Sequence, residues 1–233
     1  MTVDKTFLGK WMEELGLEAD LIWWTMSFMS DRRVKLVLDG ETGDENPVDT
    51  GVSQGSPVAP ILFVTYLSGI FDEVERTAAG ISGLSFVDNI GCWAEGKNAE
   101  EVAGKLSLAA ATAIEWTGKN GVAFDHGKME AAIFWRKKRK GTQTEAQVKV
   151  GDKEIPFNQV VTRWLGVWLD SQLTLKEHYA TRLKSGRNAM NRLNRLTGQM
   201  GLSPANCRRV MSACIQSVAM FGAELRCKGG NIH

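Results

Sequence analysis

The residues whose types and spacing could support chemistry are those of the tetrapeptide Phe86-Val87-Asp88-Asn89. Two short apolar runs, residues 81–86 and 90–94, flank its polar end, and this pattern predicts a β-hairpin with a carboxylate at its turn. Paired strands fix the position of such a carboxylate, while the turn leaves its oxygens open to a metal ion or a substrate. The sequence therefore indicates Asp88 as a candidate metal ligand.

The cysteines and histidines indicate no second metal site. Cys92, Cys207, Cys214 and Cys227 are widely spaced without a C-x-x-C pair, and the three histidines stand apart from them. Zinc ligands usually occur in closely spaced pairs, so the pattern argues against a zinc site and favours free thiols.

The chain shows neither a membrane span nor a signal peptide. It contains no run of eighteen apolar residues, and its N-terminal residues have neither a basic start nor an apolar centre. The sequence therefore predicts an intracellular protein, cytoplasmic or nuclear, that makes no membrane contact.

The composition is that of a globular protein with a strongly polarised charge. The 233 residues are 43% hydrophobic, which is enough for a core in one large domain or one domain with an appendage. Residues 1–135 carry 10 lysines and arginines against 21 aspartates and glutamates, a net charge of −11. Residues 136–233 carry 18 against 6, a net charge of +12. This basic part favours contact with phosphate groups, although solvated basic helices would give the same count.

The N-terminal elements can be predicted from hydrophobic periodicity. Residues 4–15 have the spacing of a helix with one buried face, and residues 19–29 predict a second helix rich in tryptophan. The helical spacing of its aromatic residues favours core packing over a stacking surface, although Trp11, Trp23 or Trp24 would be exposed if a neighbouring domain is missing. Residues 33–38 alternate as in a half-buried strand, and residues 39–43 predict a polar turn.

A glycine-containing loop, residues 50–57, precedes an apolar helix predicted over residues 58–74. Gly51 and Gly55 let the backbone approach a ligand closely, and Pro57 is suited to the first turn of the helix. An ordinary loop-to-helix connection and a surface for a base or sugar explain the loop equally well.

The remainder of the chain is predicted as alternating helices, strands and loops. Asn98 is expected to cap a helix that ends near Gly118, because Glu100 and Glu101 follow it in the first turn. The further predictions are strands at 122–124 and 131–135, a solvated basic loop at 136–140, a hairpin of strands 147–150 and 153–155, a well-buried strand at 162–169, and helices at 176–197 and 204–221.

This order of elements is that of a polymerase palm, and several segments carry a specific resemblance. Residues 51–63 (GVSQGSPVAPILF) resemble the block G-x-P-Q-G-S-P-x-S-P-x-L-F, with Ser53 and Ala59 departing from it. The tetrapeptide at 86–89 takes the place of an F/Y-x-D-D box, and residues 163–170 resemble a primer-grip strand. The chain thus resembles reverse transcriptases of non-LTR (LINE-type) retroelements of the fungal type.

The resemblance implies an α+β fold and a division of the chain. Residues 1–170 would form a truncated palm, a ferredoxin-like antiparallel sheet with helices on one face, without the fingers and the first catalytic strand. Residues 171–233 would form a basic, helical, thumb-like region. The implied activity is RNA-directed DNA synthesis, and the implied partners are RNA or an RNA/DNA duplex.

The resemblance also implies roles for individual residues. Asp88 would bind a metal ion, Asn89 occupies the position of a second aspartate, and Lys128 would approach the departing pyrophosphate. The residues implied to contact the nucleotide or template are Gln54, Gly55, Ser56 and Phe86. Those implied to contact the primer are Trp164, Leu165 and Gly166. The basic surface implied by the charge count would contact phosphates through Arg182, Lys184, Arg187, Arg192, Arg195, Arg208 and Arg209.

The family uses Mg²⁺, and its site is incomplete in this sequence. Two ions that share a site need several carboxylates to offset their charge, and Asn89 offers only a neutral amide. The upstream aspartate of the family would lie before Met1, because Asp4 falls several residues too late. We therefore expect doubtful metal binding and a domain without polymerase activity by itself. The alternative is a non-catalytic nucleic-acid-binding protein that uses its basic half.

Overall fold

The elements of the fold are defined by a computed structural model that describes residues 3–48, 51–53, 55–125, 127–135, 144–201 and 203–225, with the backbone alone for residues 196–200. Gln54 and the basic run 136–140 lie outside the described residues. The elements in chain order are α1 (Lys5–Glu14), α2 (Ala19–Met29), β1 (Arg33–Leu38), β2 (Glu41–Pro47), α3 (Ala59–Thr77), β3 (Ile81–Phe86), β4 (Asn89–Ala94), α4 (Ala99–Lys119), β5 (Ala131–Ala132), β6 (Gln147–Val150), β7 (Lys153–Asn158), β8 (Val161–Trp164), β9 (Val167–Asp170), α5 (Lys176–Met200), α6 (Pro204–Val210) and α7 (Ser217–Ala219).

These elements confirm the α+β class and belong to two compact units. The first unit comprises residues 1–129 and 145–156, and the second comprises residues 130–144 and 157–233. Within the described ranges, the strands are divided among four small sheets, β1–β2, β3–β4, β5–β7–β6 and β8–β9, rather than joined in one. No helix in these ranges is both long and apolar enough to span a bilayer.

Helix α1 forms where its periodicity predicts it and begins at a side-chain cap. The Asp4 Oδ1 accepts hydrogen bonds from the backbone N–H groups of Thr6 (2.8 Å) and Phe7 (3.0 Å), which would otherwise have no partner at the helix start. Leu8 and Met12, four residues apart, are buried on one face. They join a core cluster that also contains Val3, Met29, Leu62, Phe63, Tyr66, Leu67 and Val122.

A second core cluster supports the hairpin of β3 and β4. Apolar residues of α3 and α4, among them Ile70 and Ala109, pack with Ile81 of β3. Ile90 of β4 packs against both core clusters, so both support the strand that follows the acidic turn. Asn98 caps α4 as predicted, because its Oδ1 accepts the Glu101 N–H at 2.8 Å.

Helix α2 forms as predicted, but the prediction that its aromatic residues are core is wrong for both tryptophans. Thr25 and Met29 are fully or almost fully buried at 0% and 1% exposure, and their spacing of four residues defines the inner face. Trp23 and Trp24 lie on other faces of the helix and are 72% and 43% exposed. Trp24 stacks on Phe28 of the same helix, with ring centroids 5.4 Å apart. Trp11, which lies on α1, donates a hydrogen bond from its indole N–H to Ser68.

Strand β1 has the predicted bounds, but the prediction that it is half-buried is wrong. All six residues are exposed, with Leu36 and Leu38 at 74% and 76%. The segment predicted as a turn continues into β2, and β1 pairs with β2 alone in the described ranges. Alternation identifies the apolar face of a strand, but among the described residues no layer packs on that face of the two-stranded ribbon.

The two strands predicted between α4 and the basic run are absent or shortened. Residues 122–124 form no strand, since Val122 instead donates to the Thr117 carbonyl at the end of α4. The strand predicted over 131–135 is reduced to the two residues of β5, which pair in parallel with β7. The hairpin of β6 and β7 around Gly151 and Asp152 is confirmed.

The second unit contains a hairpin where a single buried strand was predicted. Residues 162–169 are interrupted by a turn at Leu165 and Gly166, which have φ values of +46° and +82°, so they form the antiparallel strands β8 and β9. Positive φ at both central residues is typical of a type I′ turn. The two predicted C-terminal helices are present as α5 and as α6 extended through a π-helical segment (Met211–Gln216) into α7.

Candidate functional site

The acidic hairpin has the tightest possible connection between its strands. Phe86 and Asn89 are paired in the register of β3 and β4, which leaves Val87 and Asp88 as a two-residue turn. Val87 has φ of +56°, whereas Asp88 has a negative φ, and this combination is typical of a type II′ turn. Glycine is the usual residue at that first position, so a β-branched valine there holds strain at the tip.

The tip presents a single carboxylate to solvent. The Asn89 side-chain N–H donates a hydrogen bond to Asp88 Oδ1 at 3.2 Å, so the amide occupies one acceptor site of the carboxylate. Phe86 is 59% exposed beside them. The arrangement joins one negative charge, one amide and one aromatic face, all accessible to a ligand.

This donor set does not fit a pair of magnesium ions. Within the described ranges, no group of three or more histidine, cysteine, aspartate or glutamate side chains is placed to hold a metal ion. Asp4, the nearest acidic residue to the start of the chain, uses its carboxylate to cap α1. Mg²⁺ requires near-octahedral oxygen coordination, and two adjacent ions need more than one carboxylate to balance them.

The loop before α3 is positioned by backbone hydrogen bonds and by an arginine that sequence reasoning missed. Gly55 is exposed with φ of +91°, and the Ser56 Oγ accepts the Val58 N–H at 3.3 Å. Arg32 donates from Nη2 to the Gly51 carbonyl at 2.6 Å and from Nε to the Met29 carbonyl at 3.2 Å. Arg32 therefore connects the end of α2 to the loop, a role that its sequence context did not indicate.

Lys128 is paired with an acidic residue in the same turn. Its Nζ lies 3.1 Å from Asp125 Oδ2, and the Asp125 Oδ1 accepts the Gly127 N–H. The hydrogen bond from Lys128, followed by that from Gly127, holds the pKa of the Asp125 carboxyl below its usual value. Both side chains are more than half exposed, so this pair is weak and Lys128 can exchange partners. The spacing of three residues was the available sequence signal for this pair.

The predicted primer and phosphate contacts belong to the second unit. Trp164 and Gly166 are half-buried in the β8–β9 hairpin, and Leu165 at its turn is 38% exposed. Arg182 is half-buried and donates to the Gly166 carbonyl, an interaction that its basic character alone did not indicate. The predicted phosphate contacts that are exposed are Lys184, Arg187, Arg192, Arg195, Arg208 and Arg209.

The predicted site residues are divided between the two units. Asp88, Asn89 and Phe86 share the hairpin tip, and Gly55, Ser56 and Lys128 belong to the same unit as that hairpin. The hairpin of Trp164 to Gly166 and the basic helices make up the group in the second unit.

Comparison with known proteins agrees with the motif order. A search of curated proteins found no match. The family model described as reverse transcriptase (RNA-dependent DNA polymerase) matches residues 2–169, which include the glycine-containing loop, the acidic hairpin and most of the β8–β9 hairpin. The chain therefore belongs to the reverse transcriptase family.

Proposed function

We propose that the chain is a reverse transcriptase domain of a non-LTR (LINE-type) retroelement of the fungal type that binds a primer–template duplex but does not synthesise DNA by itself. The non-LTR assignment is supported by the sequence block at residues 51–63 and by the Arg163-Trp164-Leu165-Gly166 segment. The observation that carries the proposal is the hairpin tip, where Asn89 donates an amide hydrogen to Asp88 in place of a second carboxylate.

The absence of catalysis follows from charge. Two Mg²⁺ ions bring four positive charges, and Asp88 offers one negative charge at an exposed tip where water screens the attraction. An amide oxygen at Asn89 adds a weak donor without charge.

Several residues of the first unit are suited to binding a nucleotide and its template. Phe86 offers an exposed aromatic face on which a base can stack, and the backbone at Gly55 carries no side chain to obstruct a sugar or base. The Ser56 hydroxyl accepts the N–H of Val58, the residue that precedes α3. Lys128 becomes available to phosphate oxygens once it leaves Asp125.

The duplex-binding part of this proposal is supported by the exposed basic residues of α5 and α6. These helices lie in the part of the chain with net charge +12, and Glu224 is the only acidic residue after His178. Exposed arginine and lysine side chains neutralise phosphates and release counterions, which gives an affinity that falls steeply with salt.

Primer extension tests the catalytic part of the proposal. The purified chain is incubated with an RNA template, a DNA primer, Mg²⁺ and deoxynucleotides, beside a preparation from cells that carry the empty vector. We expect no extension above that control, either for the unchanged chain or for Asn89→Asp, because one added carboxylate does not complete a two-ion site. Template-dependent extension by either protein would contradict the proposal.

Duplex binding measured across a salt series tests the second part. The affinity for an RNA/DNA duplex should fall between 50 and 200 mM salt, by on the order of 10³-fold or more if six or more phosphates are neutralised. Arg192→Gln should reduce the slope of log affinity against log salt by about 1, since one phosphate contact is lost. Lys119→Gln makes the same charge change in α4, where Lys119 pairs with Glu115, and should leave the slope unchanged. An affinity that does not respond to salt would exclude phosphate binding.

A further inference from the structure

The turn of the β8–β9 hairpin is held by an arginine of α5. Arg182 donates from Nη2 to the Gly166 carbonyl at 2.6 Å, and its guanidinium carbon lies 4.4 Å from the centroid of the Phe221 ring. The Nε of Arg182 is buried and has no hydrogen-bond partner in the described part of the chain. The guanidinium is thus committed to a carbonyl and an aromatic ring, rather than extended into solvent as a phosphate contact requires.

A buried histidine one turn earlier on α5 makes a second connection. His178 is fully buried, its Nδ1 accepts the Trp168 N–H at 3.3 Å, and its Nε2 lies 2.8 Å from the Phe221 carbonyl. A ring that accepts at Nδ1 and donates at Nε2 is the neutral tautomer with its proton on Nε2. His178 therefore connects β9 and the segment after α7 in one defined orientation.

The Phe221 ring supports the turn from a third direction. A Cβ atom at Gly166 would lie 3.2 Å from both Cε1 and Cζ of Phe221, so the turn backbone rests directly on the ring. The φ of +82° favours glycine at position 166, and a Cβ atom there would also crowd the Phe221 ring. Arg182 thus holds the Gly166 carbonyl, His178 holds β9, and the Phe221 ring supports the backbone of the turn.

We propose that His178, Arg182 and Phe221 form a clamp that fixes the β8–β9 turn, and that Arg182 is a positioning residue rather than a phosphate contact. The clamp determines how Trp164 and Leu165 are presented to a bound primer. This inference rests on the proposed nucleic-acid function of the hairpin. It divides the predicted basic set into Arg182, which acts within the fold, and the exposed residues of α5 and α6, which meet phosphate.

Amide hydrogen exchange of the free protein tests the clamp itself. In Arg182→Gln the Trp168 amide should exchange about tenfold faster or more, because loss of one hydrogen bond to a charged group favours local opening of the hairpin by that factor. Phe221→Leu keeps the apolar character, removes the ring and should act in the same direction. Arg187→Gln removes an exposed charge from the same helix and should leave the Trp168 amide unchanged. Unchanged exchange in both clamp variants would overturn the clamp.

The salt dependence of duplex binding tests the role of Arg182. Arg182→Gln should weaken binding at every salt concentration while the slope of log affinity against log salt stays that of the unchanged chain. Arg187→Gln should lower that slope by about 1. A slope reduced equally by both substitutions would show that Arg182 contacts phosphate and would overturn the positioning role. If the unchanged chain binds no duplex, the proposed function fails, and the exchange measurement still decides whether the clamp exists.

Discussion

Replacing Gly83 by alanine should destabilise the first unit through one identifiable contact. Gly83 lies on β3, and a Cβ atom there would come within 2.6 Å of the Phe71 Cε1 and closer still to its Cδ1. Carbon atoms do not approach to that distance, so the ring must rotate or the strand must move away from α3. Phe71 packs against the second core cluster, so its displacement disturbs that cluster as well.

The expected cost is that of an overpacked core, about 1–3 kcal/mol. Denaturant unfolding should show it as a lower transition midpoint, because the slope of the transition depends on the surface exposed and should not change. Gly104→Ala in α4 is the matched control, because a Cβ atom there would have no other atom within 4 Å. Alanine in a helix is favoured over glycine by about 1 kcal/mol, so the transition midpoint should not fall.

The double substitution Gly83→Ala with Phe71→Leu identifies the contact responsible. A smaller, more flexible side chain at position 71 can move away from the new methyl group, so the combined loss should be smaller than the sum of the two single losses. The reasoning is refuted if Gly83→Ala unfolds at the same or a higher denaturant concentration than the unchanged chain.

Substitutions at three other positions test separate features. Val87→Gly should raise the unfolding free energy by up to about 1 kcal/mol by removing the positive-φ strain at the turn, whereas Val87→Ala, which retains a Cβ, should not. Asp4→Ala should lower the unfolding free energy by about 0.5–2 kcal/mol, because the α1 cap is lost. Asp4→Asn should retain most of the stability that the cap contributes. Burial tends to raise the pKa of Asp170, but hydrogen bonds from Thr174, Gln172 and Leu175 outweigh it, and the pKa lies below its usual value. A carboxyl whose pKa is lowered in the folded state stabilises the fold above its unfolded-state pKa, and this stability is lost as pH falls through the folded-state pKa. Asp170→Asn should therefore make the free energy of unfolding, measured by denaturant at several pH values, fall less steeply as the pH is lowered.

Much of the fold could be predicted because local rules determined it. Hydrophobic spacing placed α1, α2 and α4, two apolar runs around a polar tip placed the β3–β4 hairpin, and Gly151-Asp152 placed the β6–β7 hairpin. The β8–β9 hairpin was missed because Leu165 has the apolar character of the strands around it. Gly166 within that run was the signal, since an isolated glycine in a strand pattern often marks an interruption.

Burial and partner choice could not be predicted from the same rules. Periodicity showed that α2 and β1 have apolar residues, but whether another layer covers them depends on tertiary structure, and Trp23 and Leu38 are exposed. Net charge identified a basic C-terminal part without showing that Arg182 binds a carbonyl and a ring. The place of Asp88 in the hairpin turn was predicted correctly, because the polar tip between two apolar runs leaves only two residues for the turn.

The exposed ribbon of β1 and β2 has a consequence for the behaviour of the protein in solution. Two paired strands with no further neighbour in the described chain leave backbone hydrogen-bonding groups unpaired along both edges, beside apolar residues such as Leu36. Arg33 and Lys35, the charges on β1, are both directed to Glu45, which offsets part of the repulsion that keeps such edges apart. The whole chain adds little further repulsion, because its net charge is +1 and its isoelectric point is about 7.7. Aggregation through this ribbon is therefore opposed by a small number of local charges, and buffers well away from pH 7.7 favour the dispersed protein.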